Sequence, residues 1–317
     1  MLFPPLDPAF VLSRLTWPAD RCDLVLDTDT YNEIDDQFAL VYALLSKPRF
    51  DLQAVFAAPF HNKRSSGPAD GMAKSYDEIA RVLGILDVPT DGFVYRGSDA
   101  WLPDPQTSVP SDARDELIRR ARAQPDGRPL YVAAIGAITN VVSALIEAPD
   151  IREKIVVLWL GGHPLYWHTA AEFNLEQDSL ASRVLLDSGV PLVLFPCQLV
   201  AEMIKTTTAE LDAHLQGHSS IGDYLAKIFR EYEYAPVREP GGAKEIWDLA
   251  PLAWLMDQAW VETTIEPCPV LTDDRTWSRD ARRPPIRVAQ HIHRDALFTD
   301  LFAKAAQTNP TPRPAHQ

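Results

Sequence analysis

The stretch LVLDTDTYNEIDDQFAL, residues 24–40, places four aspartates and a glutamate within ten positions, directly after an apolar run. Residues 23–28 have the pattern of a buried strand, and residues 34–46 have that of the helix that follows it. Carboxylates this close repel one another, and either protonation or a bound cation relieves the repulsion. In open α/β sheets, ligands bind beyond the carboxyl ends of the strands, where Asp27 and Asp29 fall. We therefore predict a metal site here, with a solvated acidic loop as the alternative.

The rest of the chain continues this alternation of short apolar runs and helical patterns. We predict strands at residues 23–28, 51–59, 129–135, 155–161 and 191–197. We predict helices at residues 34–46, 73–86, 112–124, 137–149 and 178–189. The strands are apolar throughout rather than alternating, which is typical of parallel strands covered on both faces. The predicted fold class is α/β, with an open, mainly parallel, Rossmann-like sheet flanked by helices in a single domain over residues 1–305.

After residue 200 the pattern changes to a helical C-terminal portion. We predict helices near residues 207–234 and 245–257, separated by the breaker-rich loop APVREPGGAKE, which we interpret as a flap near the site. The segments PCPVLTDD and PPIRVAQHI, within residues 267–292, are predicted to form a terminal strand pair. The Pro-rich tail, residues 306–317, is predicted to be disordered.

Composition excludes several classes of function. The formal net charge of −14 argues against nucleic acid or an anionic membrane surface as a partner. Cys22, Cys197 and Cys268 are far apart, so the sequence indicates neither a disulfide framework nor a zinc ribbon. We find no signal-peptide pattern and no apolar run long enough to span a membrane, and we therefore expect a cytoplasmic protein.

Two enzyme chemistries begin with such an acidic stretch. Hard oxygen ligands suit Ca²⁺ or Mg²⁺, and no nearby His/Cys set suggests zinc. A Mg²⁺-dependent phosphatase of the haloacid dehalogenase type opens with an apolar strand and DxDxT, and residues 27–30 fit that pattern. Asp27 would then attack phosphorus as a nucleophile. Asp273 and Asp274 are the candidates for the later acidic pair, and we find no convincing basic partner for a phosphate.

The second chemistry accounts for more of the chain. The run DTDTYNEIDDQFAL resembles the DxDxxxDDxxAL signature of the inosine/uridine-preferring nucleoside hydrolases, with two additional residues between Asp29 and Asp35. Further resemblances follow in family order: IGAITN (135–140), VVLWLGG (156–162), AEFNLEQD (171–178) and IWDLAPLAWL (246–255). Five weak matches in one order form a specific signal. The resemblance implies an open α/β enzyme that splits the N-glycosidic bond of ribonucleosides with Ca²⁺, giving free base and ribose.

The resemblance also implies the metal ligands. They are Asp29, Asp36, Asp248 and the backbone carbonyl of Ile135. Three carboxylates and a carbonyl leave room for a water and a sugar diol in the six to eight oxygens that Ca²⁺ takes. Asp29 is implied as the general base that accepts a proton from the attacking water, in a reaction with an oxocarbenium-like transition state.

The substrate-binding residues are likewise implied by the resemblance. Asp35 and Asn62 would bind the ribose, and Glu172 and Asn174 would lie towards its 5′ side. Asp27 would support Asp29 from behind. A nucleoside is thus the implied partner, and a homodimer or homotetramer is the implied assembly. The base preference and the 5′ substituent stay open.

Two departures from the family pattern affect these expectations. Trp247 stands where many members have a histidine directly before the last metal aspartate. The acid that protonates the leaving base is therefore open between Tyr234 and His61, or Trp247 stacks on the base and a water supplies the proton. A nucleoside- or ribose-binding protein with reduced catalysis is a further alternative.

The second departure is the segment HPLYWHTA, residues 163–170, which is shorter than the usual connection and lacks the asparagine that commonly contacts the 5′ hydroxyl. Tyr166, Trp167 and His168 are the candidates to fill that space.

Overall fold

The computed structural model describes residues 3–233, 237, 239 and 241–308. The helices are α1 (Pro8–Arg14), α2 (Asp35–Leu45), α3 (Pro68–Ile85), α4 (Asp112–Ala123), α5 (Thr139–Glu147), α6 (Phe173–Gln177), α7 (Ser179–Ser188), α8 (Thr208–His214), α9 (Ser220–Glu231), α10 (Leu249–Met256) and α11 (Arg294–Gln307). The strands are β1 (Cys22–Thr28), β2 (Phe50–Ala57), β3 (Val94–Arg96), β4 (Leu130–Ala134), β5 (Ile155–Leu160), β6 (Leu192–Phe195), β7 (Lys205–Thr207), β8 (Ala243–Glu245), β9 (Val261–Pro267), β10 (Val270–Leu271), β11 (Trp277–Ser278) and β12 (Pro285–Ile292).

The main sheet has eight strands in the order β3-β2-β1-β4-β5-β6-β12-β9. All neighbouring pairs are parallel except β12 and β9, which run antiparallel. Strands β1, β4 and β5 are buried along their whole length, as their continuous apolar runs predict. Helices cover both faces and form two apolar cores, one on each side of the sheet. The predicted fold class, an open and mainly parallel α/β sheet, is confirmed.

The strand order determines where a ligand can bind. From β1 the chain proceeds to β2 and β3 on one side and then returns to β4 on the other. The crevice between β1 and β4, at their carboxyl ends, is therefore the switch point where doubly wound sheets bind ligands. The acidic stretch begins at the end of β1 and continues into the first turn of α2.

The C-terminal portion differs from the prediction in three places. The single helix predicted near residues 207–234 is two helices, because Gly217 adopts a positive φ of 76° and Ser219 caps α9 by accepting from the Gly222 amide. Glu245 lies in β8, which pairs with β7, so α10 begins only at Leu249.

The predicted terminal strand pair was wrong. Strand β10 pairs with β11 in a separate ribbon, whereas β12 enters the main sheet between β6 and β9. Pro269, next to β10, has no amide hydrogen to offer to a longer ladder.

Several other predictions concern the ends of the chain and its environment. Helix α11 extends to Gln307, into the segment predicted as a tail, and residues 309–317 lie outside the described residues. Residues 235, 236, 238 and 240 of the predicted flap also lie outside the described residues, while its last residues form β8. Within the described part of the chain, no helix combines the length and apolar character needed to cross a membrane. The three cysteines are buried and free.

Candidate active site

Two strand ends meet at the switch point. Asp29 follows β1 and Ile135 follows β4, and both line one cavity of about 390 Å³. Gly136 permits this approach, since a Cβ there would lie 3.1 Å from the Asp29 carboxyl carbon. Cavities of this size bind small organic molecules.

Three further carboxylates converge from two helices. Asp35 and Asp36 open α2, whose dipole favours negative charge in the first turn. Asp248 directly precedes α10, which packs against α2. One carboxylate oxygen from each of the three lies within 4.8 Å of the others, and all three side chains are buried.

The cluster is electrostatically strained. Burial, followed by repulsion from Asp35, raises the pKa of Asp36 to about 8. Burial also raises the pKa of Asp35 to about 6, against the opposing effect of Lys244. The pKa values of Asp29 and Asp248 are raised well above the usual range, first by burial and then by repulsion from Asp35 and Asp36. A cation would relieve this repulsion and restore the ionised forms.

The donor set fits a hard divalent cation. One oxygen of Asp29, Oδ2, is buried and has no hydrogen-bond partner among the described residues. Asp36 and Asp248 add carboxylate oxygens, and the Ile135 carbonyl adds a neutral one. An all-oxygen set of this kind suits Ca²⁺ or Mg²⁺ rather than zinc.

This arrangement predicts an unusual pH dependence of stability in the metal-free protein. Aspartates in an unfolded chain have a pKa of about 3.9. In the folded protein the pKa is raised to about 6 for Asp35 and to about 8 for Asp36, so the folded cluster binds more protons than the unfolded chain does. Its contribution to stability is therefore present at low pH and lost as the pH rises through these values. We expect the melting temperature in a chelator to be lower at pH 9 than at pH 6.

Adding Ca²⁺ is expected to raise the melting temperature more at pH 9 than at pH 6, since its ligands must be deprotonated. Asp36→Asn serves as the matched control, because it removes one member of the cluster and should flatten the pH dependence in chelator. A melting temperature that rises with pH in both proteins would contradict the electrostatic interpretation.

The structure places the two residues predicted for the 5′ side in the cavity wall, but both have structural contacts. The Glu172 carboxylate caps α6 by accepting from the amides of Asn174 (3.0 Å) and Leu175 (3.2 Å), and also from that of Gly162 (2.8 Å). The Asn174 amide group donates to the carbonyls of Ile135 (3.2 Å) and Leu160 (3.1 Å).

Through these two hydrogen bonds, Asn174 links the end of β4 to the end of β5. Its carboxamide oxygen accepts no hydrogen bond from the described residues, which leaves it for a substrate hydroxyl.

Asn62 and His61 do not line the cavity. The Asn62 amide donates to the Asn32 side chain (2.6 Å), and it is Asn32 that reaches the cavity. Asn32 belongs to the loop that is two residues longer than the family signature, and the Asn62 side chain supports this loop from outside the cavity. The His61 side chain is exposed, and its backbone amide donates to Gln177 (2.6 Å).

Three of the predicted residues remain, and each has a different position. Trp247 is partly buried and lines the cavity beside Asp248. Tyr234 lies outside the described residues. Asp27 is fully buried behind the site and accepts a hydrogen bond from Asn140 (2.7 Å); it does not line the cavity. The nucleophile that the phosphatase alternative requires is therefore not accessible to a substrate.

Lys244 is the residue near the site that the sequence did not indicate. It is buried and forms an ion pair of 2.6 Å with Glu33, next to Asp35. Burial lowers the pKa of Lys244, but attraction to Asp35 and Glu33 outweighs this effect and raises it overall. The ammonium thereby balances part of the negative charge. The sequence offered no signal for it, because lysine is rarely buried and this one stands in a Gly-rich loop.

The fold and this cavity define an α/β protein with a carboxylate-lined cavity at the switch point of its sheet. Comparison with known proteins identifies its family. The family described as inosine-uridine preferring nucleoside hydrolase matches residues 24–299. The chain belongs to this family, and it is an enzyme of the nucleoside hydrolase type that acts on the N-glycosidic bond. The family match contradicts the phosphatase alternative.

Individual relatives agree with this assignment. The pyrimidine-specific ribonucleoside hydrolase RihA of Salmonella paratyphi B is 25% identical over 325 residues, covering 90% of this chain and 98% of the relative. The RihA of Klebsiella pneumoniae is 25% identical over 311 residues, covering 85% and 94%.

Solved structures show the same fold. The purine-preferring ribonucleoside hydrolase of Gardnerella vaginalis superposes with a TM-score of 0.68 at 20% identity, covering 90% of this chain and 98% of that one. The inosine-uridine preferring nucleoside hydrolase of Bacillus anthracis gives a TM-score of 0.64 at 15% identity, covering 90% and 99%.

Proposed function

We propose that this protein hydrolyses ribonucleosides to a free base and ribose, with Ca²⁺ as its cofactor. One observation carries the proposal. Four buried carboxylates lie together at the switch point of the sheet: Asp29, Asp35 and Asp248 line the cavity with Ile135, and an Asp36 oxygen lies within 4.8 Å of oxygens of Asp35 and Asp248. Carboxylates with raised pKa values and little compensating charge are a stable arrangement only with a cation or with bound protons.

The proposed division of roles follows from position. Asp29, Asp36, Asp248 and the Ile135 carbonyl would hold Ca²⁺, which when bound supplies a polarising charge for water and for a sugar diol. Asp29 accepts the proton of the attacking water, because it lines the cavity and its Oδ2 has no hydrogen-bond partner among the described residues.

Asp35, the first residue of α2, binds the ribose hydroxyls. Its position beside Lys244 supports this role, because the ammonium favours the ionised carboxylate, which accepts hydrogen bonds from hydroxyls. As the base departs, the ribose acquires oxocarbenium character. The negative wall formed by Asp29, Asp35 and Asp248 stabilises this positive charge.

The leaving base needs its own interactions. Trp247 lines the cavity next to Asp248 and offers a flat apolar surface on which a heteroaromatic ring can stack. Tyr234 and His61 stay the candidates for the proton donor. The exposure of His61 and its absence from the cavity wall favour Tyr234 between the two.

A substrate panel tests this function. Inosine, guanosine, uridine and cytidine are incubated with the enzyme, and released reducing sugar is measured with and without a calcium chelator. We expect chelator-sensitive release from at least one nucleoside, restored by added Ca²⁺. A p-nitrophenyl riboside, whose leaving group needs no protonation, shows whether a missing acid limits the natural substrates.

Release that persists unchanged in chelator would contradict the metal requirement. No release from any nucleoside or from the p-nitrophenyl riboside, in the presence of Ca²⁺, would contradict the proposed reaction itself.

A further inference from the structure

The loop between β1 and α2 carries two residues of the cavity wall, Asn32 and Glu33. Side chains from the loop that follows β2 hold it on one side. The Asn62 amide donates to the Asn32 side chain over 2.6 Å, and the Arg64 guanidinium donates to the Glu33 carbonyl over 3.1 Å. Because this loop is two residues longer than the family signature, it has more conformational freedom to lose and needs such contacts to keep one position.

Lys244 of β8 holds the same loop through the Glu33 side chain. Its ammonium forms an ion pair with the Glu33 carboxylate at 2.6 Å and also donates to the Glu245 carbonyl over 3.1 Å. The Tyr232 ring covers the ammonium, with its centroid 5.0 Å away. The Lys244 side chain is only 4% exposed, so water cannot replace these contacts. An ammonium at such a position is costly without its anion.

The charge of Lys244 also acts on a second carboxylate. Asp35 stands two residues after Glu33 and attracts the same ammonium. Glu33 and Asp35 repel each other, and a nearby cation offsets that repulsion. Among the described residues, no lysine or arginine lines the cavity itself. Lys244 therefore supplies positive charge from behind a wall of carboxylates.

A direct part in the chemistry does not fit Lys244. The residue does not line the cavity, and its ammonium is held by an anion, a carbonyl and an aromatic face. A group that protonates the leaving base must reach that base directly or through one water. The contacts of Lys244 instead fix the position of residues that do line the cavity.

On the basis of the proposed function, we infer that Lys244 is a positioning residue, which acts through Glu33 and keeps Glu33 and Asp35 in the arrangement that binds the ribose. Removal of Lys244 should then weaken sugar binding without weakening metal binding. The loss of a positive charge beside Asp35 removes repulsion that a bound Ca²⁺ would feel, so the Ca²⁺ affinity should stay the same or rise.

Calorimetry measures both effects on the whole chain. D-Ribose is titrated into the Ca²⁺-loaded protein, and Ca²⁺ is titrated into the metal-free protein. Lys244→Met removes the charge and keeps a side chain of similar length. We expect its Kd for ribose to rise roughly 10-fold or more, the size of one charge-assisted hydrogen bond, and its Ca²⁺ affinity to equal or exceed that of wild type.

Lys205→Met is the matched control. Lys205 lies in β7, the strand paired with β8, and its ion pairs are with Glu202 and Glu245 rather than with Glu33. This variant should match wild type in both titrations.

A double variant tests the route by which Lys244 acts. Once Glu33→Gln has removed the carboxylate, Lys244→Met leaves no unpaired charge at this position. The two losses in ribose affinity should therefore not add, and the double variant should bind ribose no more weakly than Lys244→Met alone. Losses that add in full would overturn the inference that Lys244 acts through Glu33.

Three other results would overturn the inference. They are an unchanged ribose affinity in Lys244→Met, a parallel loss of ribose and Ca²⁺ binding in that variant, and a wild type that binds no ribose. These titrations require no turnover, which separates them from the proposed reaction. If ribose binds with the expected dependence but no nucleoside is cleaved, the proposed reaction fails and the inference about Lys244 stands.

Discussion

Asp36→Asn is expected to lower Ca²⁺ affinity at least about 100-fold, because groups that merely support metal ligands already change affinity by about 10–100-fold when mutated. Asp36 lies in the cluster with Asp35 and Asp248 and is buried. Because solvent does not reach this position, no water can take the place of its carboxylate as a metal ligand. Turnover at moderate Ca²⁺ should fall to the level of chelator-treated wild type. Calorimetric Ca²⁺ titration and ribose release measure the two effects.

Loss of folding can be separated from loss of metal binding. Removing one charge from a repulsive buried cluster should leave the metal-free melting temperature at pH 9 equal to or above that of wild type. Asp150→Asn is the matched control, because Asp150 pairs with Arg122 at the surface and should affect neither property. Wild-type Ca²⁺ affinity and turnover in Asp36→Asn would show that the ligand assignment is wrong.

Asp29→Asn is expected to act mainly on the chemical step. Removing a general base lowers kcat by about 10²–10⁴-fold, and the amide cannot accept the proton of the attacking water. Asp29 is also a proposed Ca²⁺ ligand, so its replacement should lower Ca²⁺ affinity as well. We therefore expect kcat to stay low even at saturating Ca²⁺, where weaker metal binding no longer limits turnover.

Asp27→Asn provides the comparison for this variant. Asp27 is buried behind the site and contacts Asn140 rather than the cavity, so its amide form should retain most of the turnover. A kcat close to wild type in Asp29→Asn at saturating Ca²⁺ would exclude Asp29 as the base.

The acidic half of the site was predictable because its signal is local. Asp29, Asp35 and Asp36 stand within eight positions of one another, at a strand end and in the first helical turn that follows. Backbone geometry alone brings such residues to one edge of the sheet. The parallel sheet was predictable for a similar reason, since continuous apolar runs between helical patterns allow few other folds.

Distant partners needed the family resemblance or the structure. Asp248 is a single aspartate among apolar residues, and only the resemblance distinguished it from a helix cap. Lys244 and Glu33 are far apart in the chain, and their ion pair depends on how β8 packs against the loop after β1. No periodicity or motif encodes that contact.

The sequence by itself determined the fold class, the acidic centre and the family, because these depend on local patterns and on the order of motifs. The tertiary structure alone decided which residues form the cavity wall: it put Asn32 in place of Asn62, and His163 in place of its aromatic neighbours. The reason is that a wall position depends on the path of a loop through three dimensions. That path is set by packing contacts such as Gly162 against Trp277, which join segments far apart in the chain.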